Sequence, residues 1–250
     1  MEENVIVLPG TKWQIPLVQK LKRRGYRVVV LDCYEDQPAY QYADEHRIVD
    51  ILDKERVYDI AKEYSAAAVL SDECDIATPT IAWVSEKLGK PSIGMEMADL
   101  YTNKYSMREF ARKHGFATPV FYKCFLKEEA VAAYEQYGKK MIMKPLDGNS
   151  SRGVFSICSV QDIKEHFDES MKYSKKEKCV LVEEYIDGEE FSVDGIKTED
   201  GYYTLAIAHK KHYETNENLD QELIFKYSDS VYDYDLLRQT NQNYVEATGL

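Results

Sequence analysis

The stretch "MIMKPLDGNSSRGV", residues 141–154, decides how this chain is read. An apolar run, Met141 to Met143, ends at Lys144 and Pro145, and past Leu146 the residues are small or polar and would bury nothing. The run has the character of a strand, and the segment behind it has the composition of a flexible loop. A glycine-rich loop after a strand offers backbone N–H groups that can wrap phosphate oxygens. Three readings compete. A Walker A loop would use the G-x-x-x-x-G spacing of Gly148 and Gly153, but Val154 and Phe155 stand where that loop needs its lysine and hydroxyl residue. A plain hairpin connection fits Gly, Asn and Ser equally, because all three form turns. The third reading is a mobile cover over a triphosphate, with the lysine before the loop and Ser150, Ser151 and Arg152 supplying hydroxyls and charge. That reading alone requires further nucleotide-binding residues elsewhere.

Composition narrows the field. The chain has 250 residues, 44% of them hydrophobic, enough for one large core or two modest ones. Its net charge of -12 argues against unaided binding to nucleic acid or an anionic membrane, since either surface would repel it. An anionic ligand would need a local basic pocket. The five cysteines, Cys33, Cys74, Cys124, Cys158 and Cys179, are widely spaced and form no Cys-x-x-Cys pair, which points to neither a disulfide framework nor zinc and implies a reducing cytoplasm. "MEENVIVLPG" is acidic where a signal peptide is basic, and no apolar run approaches a membrane span.

The first hundred residues alternate β-branched runs with amphipathic segments. "NVIVL" (4–8), "YRVVVLD" (26–32), "RIVD" (47–50) and "AAVLSD" (67–72) read as strands, with helices over 13–25, 54–64 and 75–88 between and after them. This predicts a doubly wound parallel sheet with a boundary near Gly94. The rhythm then changes: "TNKYSMREFARKHG" (102–115) reads as a helix capped by Thr102, followed by helices over 127–137 and 161–173 and strands over 141–144, 153–159, 179–186, 189–198 and 202–210. The last two form a hairpin turned at "EDG", and a final helix over 233–248 stops at Gly249.

Four motifs in chain order carry a resemblance. "TNKYSMREFARKHGFATP" places Lys104 on a helix before a G-x-x-x-P strand entry; "MIMKPLDGNSSRGV" places Lys144 before its loop; "VLVEEYIDGEEFSVDG" joins a strand end to a G-x-E-x-S element; "AHKKHY" sits on a later strand. In this order they resemble the ATP-grasp superfamily, which includes biotin carboxylase, carbamoyl-phosphate synthetase, D-alanine:D-alanine ligase and the glycinamide ribonucleotide synthetases. The first βα region is similar to the domain that precedes this fold, so the resemblance covers nearly the whole chain. It implies an α/β protein: a doubly wound parallel domain over 1–94, then an α+β ATP-grasp domain over 95–250, with a small lid subdomain over about 116–187 and a partial C-terminal subdomain over about 188–250.

The resemblance also implies roles. Lys104 and Lys144 would contact the α- and β-phosphates, and Gly148, Ser150, Ser151 and Gly153 would form the loop over them. Glu183 and the backbone of Glu184 and Ile186 would hold adenine, with Tyr185 packing. Glu190 would accept the ribose hydroxyls, or Glu189 if the register shifts by one, and Lys210 or Lys211 would face phosphate. Met143 and Ile157 fit either the adenine slot or a core. The implied activity is ATP-dependent carboxylate ligation through an acyl phosphate, with ATP and Mg2+, a small carboxylate and a nucleophile as co-substrates, no nucleic acid or membrane partner, and homodimerisation left open. No catalytic residue is assigned. Family members bind magnesium with a Glu and a Glu-x-Asn pair on late strands, whereas the given sequence stops at "YVEATGL" and "TNQN" (240–243) does not match. The expectation is an ATP-binding portion, either part of a longer ligase or completed by a partner chain, with little turnover alone.

Other signals point elsewhere. Gly10 and Asp32 imitate a dinucleotide fold, but "GTKWQIP" has one glycine where three are wanted, so the rival nicotinamide oxidoreductase is disfavoured. In the resembled family this edge helps form the acceptor site, which makes Thr11, Lys12 and Gln14 candidates. "SDECD" (71–75) sits at a strand's carboxyl end, where ligands bind α/β sheets, and helix capping explains it equally. Twenty tyrosines keep open a nucleotide-binding interaction module without catalysis. His209 and His212 fall on opposite faces of a strand and read as two exposed polar residues rather than a metal pair.

Overall fold

The computed structural model describes residues 3–147, 151–175, 177–213 and 216–250, with backbone only at 216–218. Contacts divide the chain into two compact units, Met1–Thr102 and Asn103–Leu250.

In the first unit, strands β1 (Asn4–Val7), β2 (Arg27–Asp32), β3 (Glu45–Ile48) and β4 (Ala68–Leu70) alternate with helices α1 (Ile15–Arg23), α2 (Lys54–Glu63), α3 (Thr78–Leu88) and α4 (Gly94–Thr102). The sheet is parallel in the order β3-β2-β1-β4. The near-continuous apolar runs of β1 and β2 follow from burial on both faces. Ile6, Leu8, Val29 and Leu31 pack with Val57, Ile60 and Val84 of α2 and α3, while Val5, Val7, Val28 and Val30 pack with Val18 and Leu21 of α1. Helix α4 escaped the sequence reading because "GMEMADLYT" lacks a start signal.

The second unit opens with α5 (Lys104–Lys113) and then an antiparallel sheet, β5-β8-β6-β7, made of β5 (Phe121–Cys124), β6 (Met141–Pro145), β7 (Phe155–Ile157) and β8 (Val180–Glu184). Helices α6 (Lys127–Tyr137) and α7 (Val160–Tyr173) cover one face, burying Met141, Met143, Ile157, Val180 and Val182 with Ala130, Ala133, Ile163 and Phe167. Met143 and Ile157 are therefore core, and the adenine-slot alternative is corrected: strand alternation sends Met143 to the helix-covered face and Lys144 to the other. The cap of α5 is also corrected. Asn103 Oδ1 accepts from the N–H groups of Tyr105 and Ser106 at 3.0 and 3.2 Å, while Thr102 donates back to Ala98 O within α4.

A second antiparallel sheet, β11-β10-β9, follows, with α8 (Tyr234–Thr248) behind it. β9 (Glu190–Thr198) and β10 (Gly201–Tyr213) form the expected hairpin. β11 (Asn216–Phe225) was not foreseen, because "NENLDQELIF" is too charged to alternate; pairing with β10 makes it a strand. Among the described residues no helix is long and apolar enough to cross a membrane.

One buried hydroxyl ties this unit together. Ser174, fully buried just after α7, donates to Cys179 O at 2.6 Å and accepts from the N–H of Leu146 at 3.1 Å. Ser174→Ala leaves two buried backbone groups short of a partner and is expected to cost about 1–3 kcal/mol. The check is a urea titration followed by circular dichroism: the midpoint should fall, and an unchanged midpoint would exclude this anchoring role.

Candidate functional site

β6 and β8 run antiparallel with Ile142 opposite Glu183 and Lys144 opposite Leu181. Lys144 and Glu183 are thus diagonal neighbours on the face away from α6 and α7, close enough for long side chains to meet. They form an ion pair there, with side chains only 14% and 5% exposed. Helix α5 brings a third charge. Arg108 Nε lies 3.0 Å from Glu183 Oε2 and Nη2 lies 3.2 Å from Oε1, a two-pronged grip on the same carboxylate. Burial alone would raise the Glu183 carboxyl, but hydrogen bonds and charge from Arg108 and Lys144 hold it below the ordinary glutamate range. Burial dominates at Lys144 and lowers the ammonium against the pull of Glu183.

Leu146 joins the two lysine-bearing segments through its backbone. Its carbonyl accepts from the N–H of Lys104 at 3.1 Å, joining the first turn of α5 to the residue two beyond Lys144. Past the loop, Ser151 and Gly153 have φ of 53° and 74°. A Cβ at Gly153 would lie 2.7 Å from Tyr173 Cδ2 and 3.2 Å from Ser170 Cα, so glycine is required there by backbone and by space.

The second sheet supplies a further charged group. Glu190 Oε1 lies 2.9 Å from Lys210 Nζ and Oε2 lies 3.1 Å from His212 Nε2. Asp220 on β11 closes the square, at 3.4 Å from Lys210 and 3.3 Å from His212 Nδ1. Burial would lower Lys210, yet Glu190 and Asp220 raise it above the ordinary lysine value. Glu190 also favours the charged form of Lys144, which links the two charged groups electrostatically.

At the end of β8, the Glu184 carboxylate turns away: it bonds Tyr137 and accepts from Val120 N–H at 3.2 Å, and these contacts lower its pKa. That carboxylate is therefore already engaged within the fold. Ile186, 66% exposed, follows the strand end.

Residues 137–247 match the ATP-grasp domain family and residues 6–81 the PylC-like N-terminal domain family. Residues 137–247 thus form an ATP-grasp domain. An N5-carboxyaminoimidazole ribonucleotide synthetase solved with ADP superposes with a TM-score of 0.80 at 16% identity, over 99% of this chain and 64% of that one. The L-amino acid ligase of Bacillus licheniformis gives 0.79 at 19%, over 100% and 61%. These likenesses show the fold. In sequence, the formate-dependent phosphoribosylglycinamide formyltransferase of Prochlorococcus marinus is 24% identical over 213 residues, 83% of this chain and 54% of that enzyme. The chain spans about half the length of the curated relatives it matches.

Within this ATP-grasp unit, the structure gathers Lys144, Glu183, Glu190 and Lys210, ties Lys104 to Leu146, and sets Ser151 and Gly153 beyond the loop and Glu184 and Ile186 at the strand end. Gly148 and Ser150 lie outside the described residues. Lys211 is exposed, and Glu189 is taken by His209 at 2.5 Å, which favours Lys210 and Glu190 in the two open choices. Arg108, His212 and Asp220 escaped the sequence reading. Arg108 had a signal, since it stands four residues after Lys104 on one helix face. His209 and His212 are corrected: His209 is buried against Phe191 at 4.7 Å between ring centroids, and His212 is drawn between two carboxylates. The register shift after Lys211, where His212 pairs with Asp220, makes that possible.

Among the first-unit candidates, Gln14 is fully buried and bonds Thr11 and Asp72 O, so its amide braces two loops. Asp32 likewise accepts from Gly10 and Tyr34 N–H at 2.9 and 3.0 Å, which gives the supposed ribose carboxylate a structural task.

Glu183→Gln should destabilise the folded chain at neutral pH by about 3 kcal/mol, the low end for an uncompensated buried pair because Arg108 is partly exposed. The depressed folded pKa of Glu183 stabilises fully above its unfolded value, near about 4.3, and that contribution disappears as pH falls through the folded value. Urea midpoints measured across acid pH should therefore drop more steeply for the wild type than for Glu183→Gln. Parallel curves would contradict the assignment.

Proposed function

We propose that this chain is the ATP-binding portion of an ATP-dependent carboxylate ligase. The observation carrying this reading is the buried Lys144–Glu183 pair at the mouth of the glycine-rich loop, gripped by Arg108, with Glu190 and Lys210 across from it. Lys104 and Lys144 offset phosphate charge that an acidic protein would otherwise repel. Glu183, with the Glu184 carbonyl and Ile186 N–H, receives adenine, and Glu190 receives the ribose hydroxyls by releasing Lys210 or His212.

A substrate carboxylate oxygen attacks the γ-phosphorus of ATP; the bond to the bridging oxygen breaks, and ADP leaves with the electron pair. The resulting acyl phosphate is attacked at its carbonyl carbon by an amine or similar nucleophile. The carbon–oxygen bond to phosphate then breaks, inorganic phosphate departs, and the attacking nitrogen loses its proton. Such transfer depends on positioning and on cations that offset developing charge. One solved neighbour, the biotin carboxylase domain of a 2-oxoglutarate carboxylase from Hydrogenobacter thermophilus, holds magnesium ADP and bicarbonate. Magnesium is expected with the nucleotide here. Among the described residues no three His, Cys, Asp or Glu side chains form a metal cluster, so no step is assigned to one.

Calorimetry with ADP and a non-hydrolysable ATP analogue, with and without magnesium, tests this. Saturable binding is expected, weakened at least about tenfold in Lys144→Ala, the scale of one charged hydrogen bond. A folded wild-type chain that binds neither nucleotide would return the loop to a plain hairpin.

A further inference from the structure

Glu183 is held by two cations, and the number of its bonds limits what else it can do. Oε1 accepts from Arg108 Nη2 at 3.2 Å and pairs with Lys144, which uses both lone pairs of that oxygen. Oε2 accepts from Arg108 Nε at 3.0 Å, which uses one of two. Among the described residues, one acceptor position on Oε2 is left, and its direction is set by the plane of the guanidinium fork.

Because Arg108 grips both oxygens, the carboxylate cannot rotate about its last torsion without breaking a charge-assisted bond. Burial by itself would favour the protonated acid, which could turn its O–H outward as a donor, and hydrogen bonding from Arg108 is the strongest influence opposing this. An ionised, oriented carboxylate can only accept.

We propose that Arg108 is a positioning residue that sets purine selectivity: by clamping Glu183 as a fixed acceptor with one open lone pair, it selects a 6-amino purine over a 6-oxo purine. This rests on the reading of Glu183 as a base contact. A 6-amino group donates to Oε2; a 6-oxo group presents an oxygen there, and two acceptors face each other in a site only 5% open to water at the carboxylate. Lys144 cannot substitute for Arg108, because an ammonium is a point charge and leaves the carboxylate free to turn.

The test is calorimetric titration of ADP and inosine diphosphate into the wild type, Arg108→Met, Arg108→Lys and Glu183→Gln, each verified as folded by circular dichroism. The wild type should prefer ADP by at least about 100-fold, the scale on which a hydrogen-bonding site rejects a mismatched group. In Arg108→Met that ratio should fall at least about tenfold, with most of the change in ADP affinity. Arg108→Lys should fall between them, and Glu183→Gln, whose amide can also donate, should lower the ratio at least as far as Arg108→Met, the remaining preference being held by the Glu184 carbonyl and the Ile186 N–H. Equal weakening of both nucleotides in Arg108→Met, or full retention of the ratio, would overturn the proposal by reducing Arg108 to a structural brace. Binding of neither nucleotide by the folded wild type would instead sink the nucleotide reading and this inference with it. A wild type that binds ADP but not selectively would sink the inference alone.

Discussion

A carboxylate buried between two cations is the constraint on which the candidate site depends. Glu183 sits at 5% side-chain exposure, where an unpaired ion would be costly, and only the joint presence of Lys144 and Arg108 makes its charge tenable. The three groups come from β6, β8 and α5, so the ion cluster also sets how the helix lies on the sheet. Removing Glu183 leaves two like charges facing each other, and removing either cation leaves the buried carboxylate with a single partner. The cluster carries one net positive charge, in a protein whose formal charge is -12. That is how an acidic chain can present a local attraction to phosphate without becoming a general binder of anions.

A second level of organisation comes from the backbone. Leu146 accepts from Lys104 N–H through its carbonyl and donates to Ser174 through its own N–H, so the start of α5, the exit of β6 and the end of α7 meet at one buried residue. Side-chain charge attracts a ligand, but such a junction decides where the charge stands. The square of Glu190, Lys210, His212 and Asp220 is the looser counterpart: it is more exposed, and Lys210 and His212 are each shared by two carboxylates. It can exchange a partner for a ligand at smaller cost than the Glu183 cluster can.

What the sequence by itself determined was most of the order of elements and several residues of the proposed nucleotide site. Hydrophobic periodicity distinguished the doubly wound first unit from the mixed second one, because both-face burial makes β1 and β2 continuous apolar runs. Lys144 before its loop, Glu183 at a strand end and Glu190 after a turn were legible because strand ends and glycine loops leave local marks. The tertiary structure decided everything that depends on which strand lies beside which. Strand alternation put Met143 in the core and Lys144 in the site; the register of β8 against β6 made Glu183 the partner of Lys144; helix α5 brought in Arg108 from 75 residues away. β11 and the place of His212 were equally hidden, since a charged segment becomes a strand only when a neighbour pairs with it, and one register shift redirects a side chain that local spacing had assigned to solvent. Local chemistry is written in sequence at short range, whereas the desolvation that gives these charges their function exists only once distant segments have packed together.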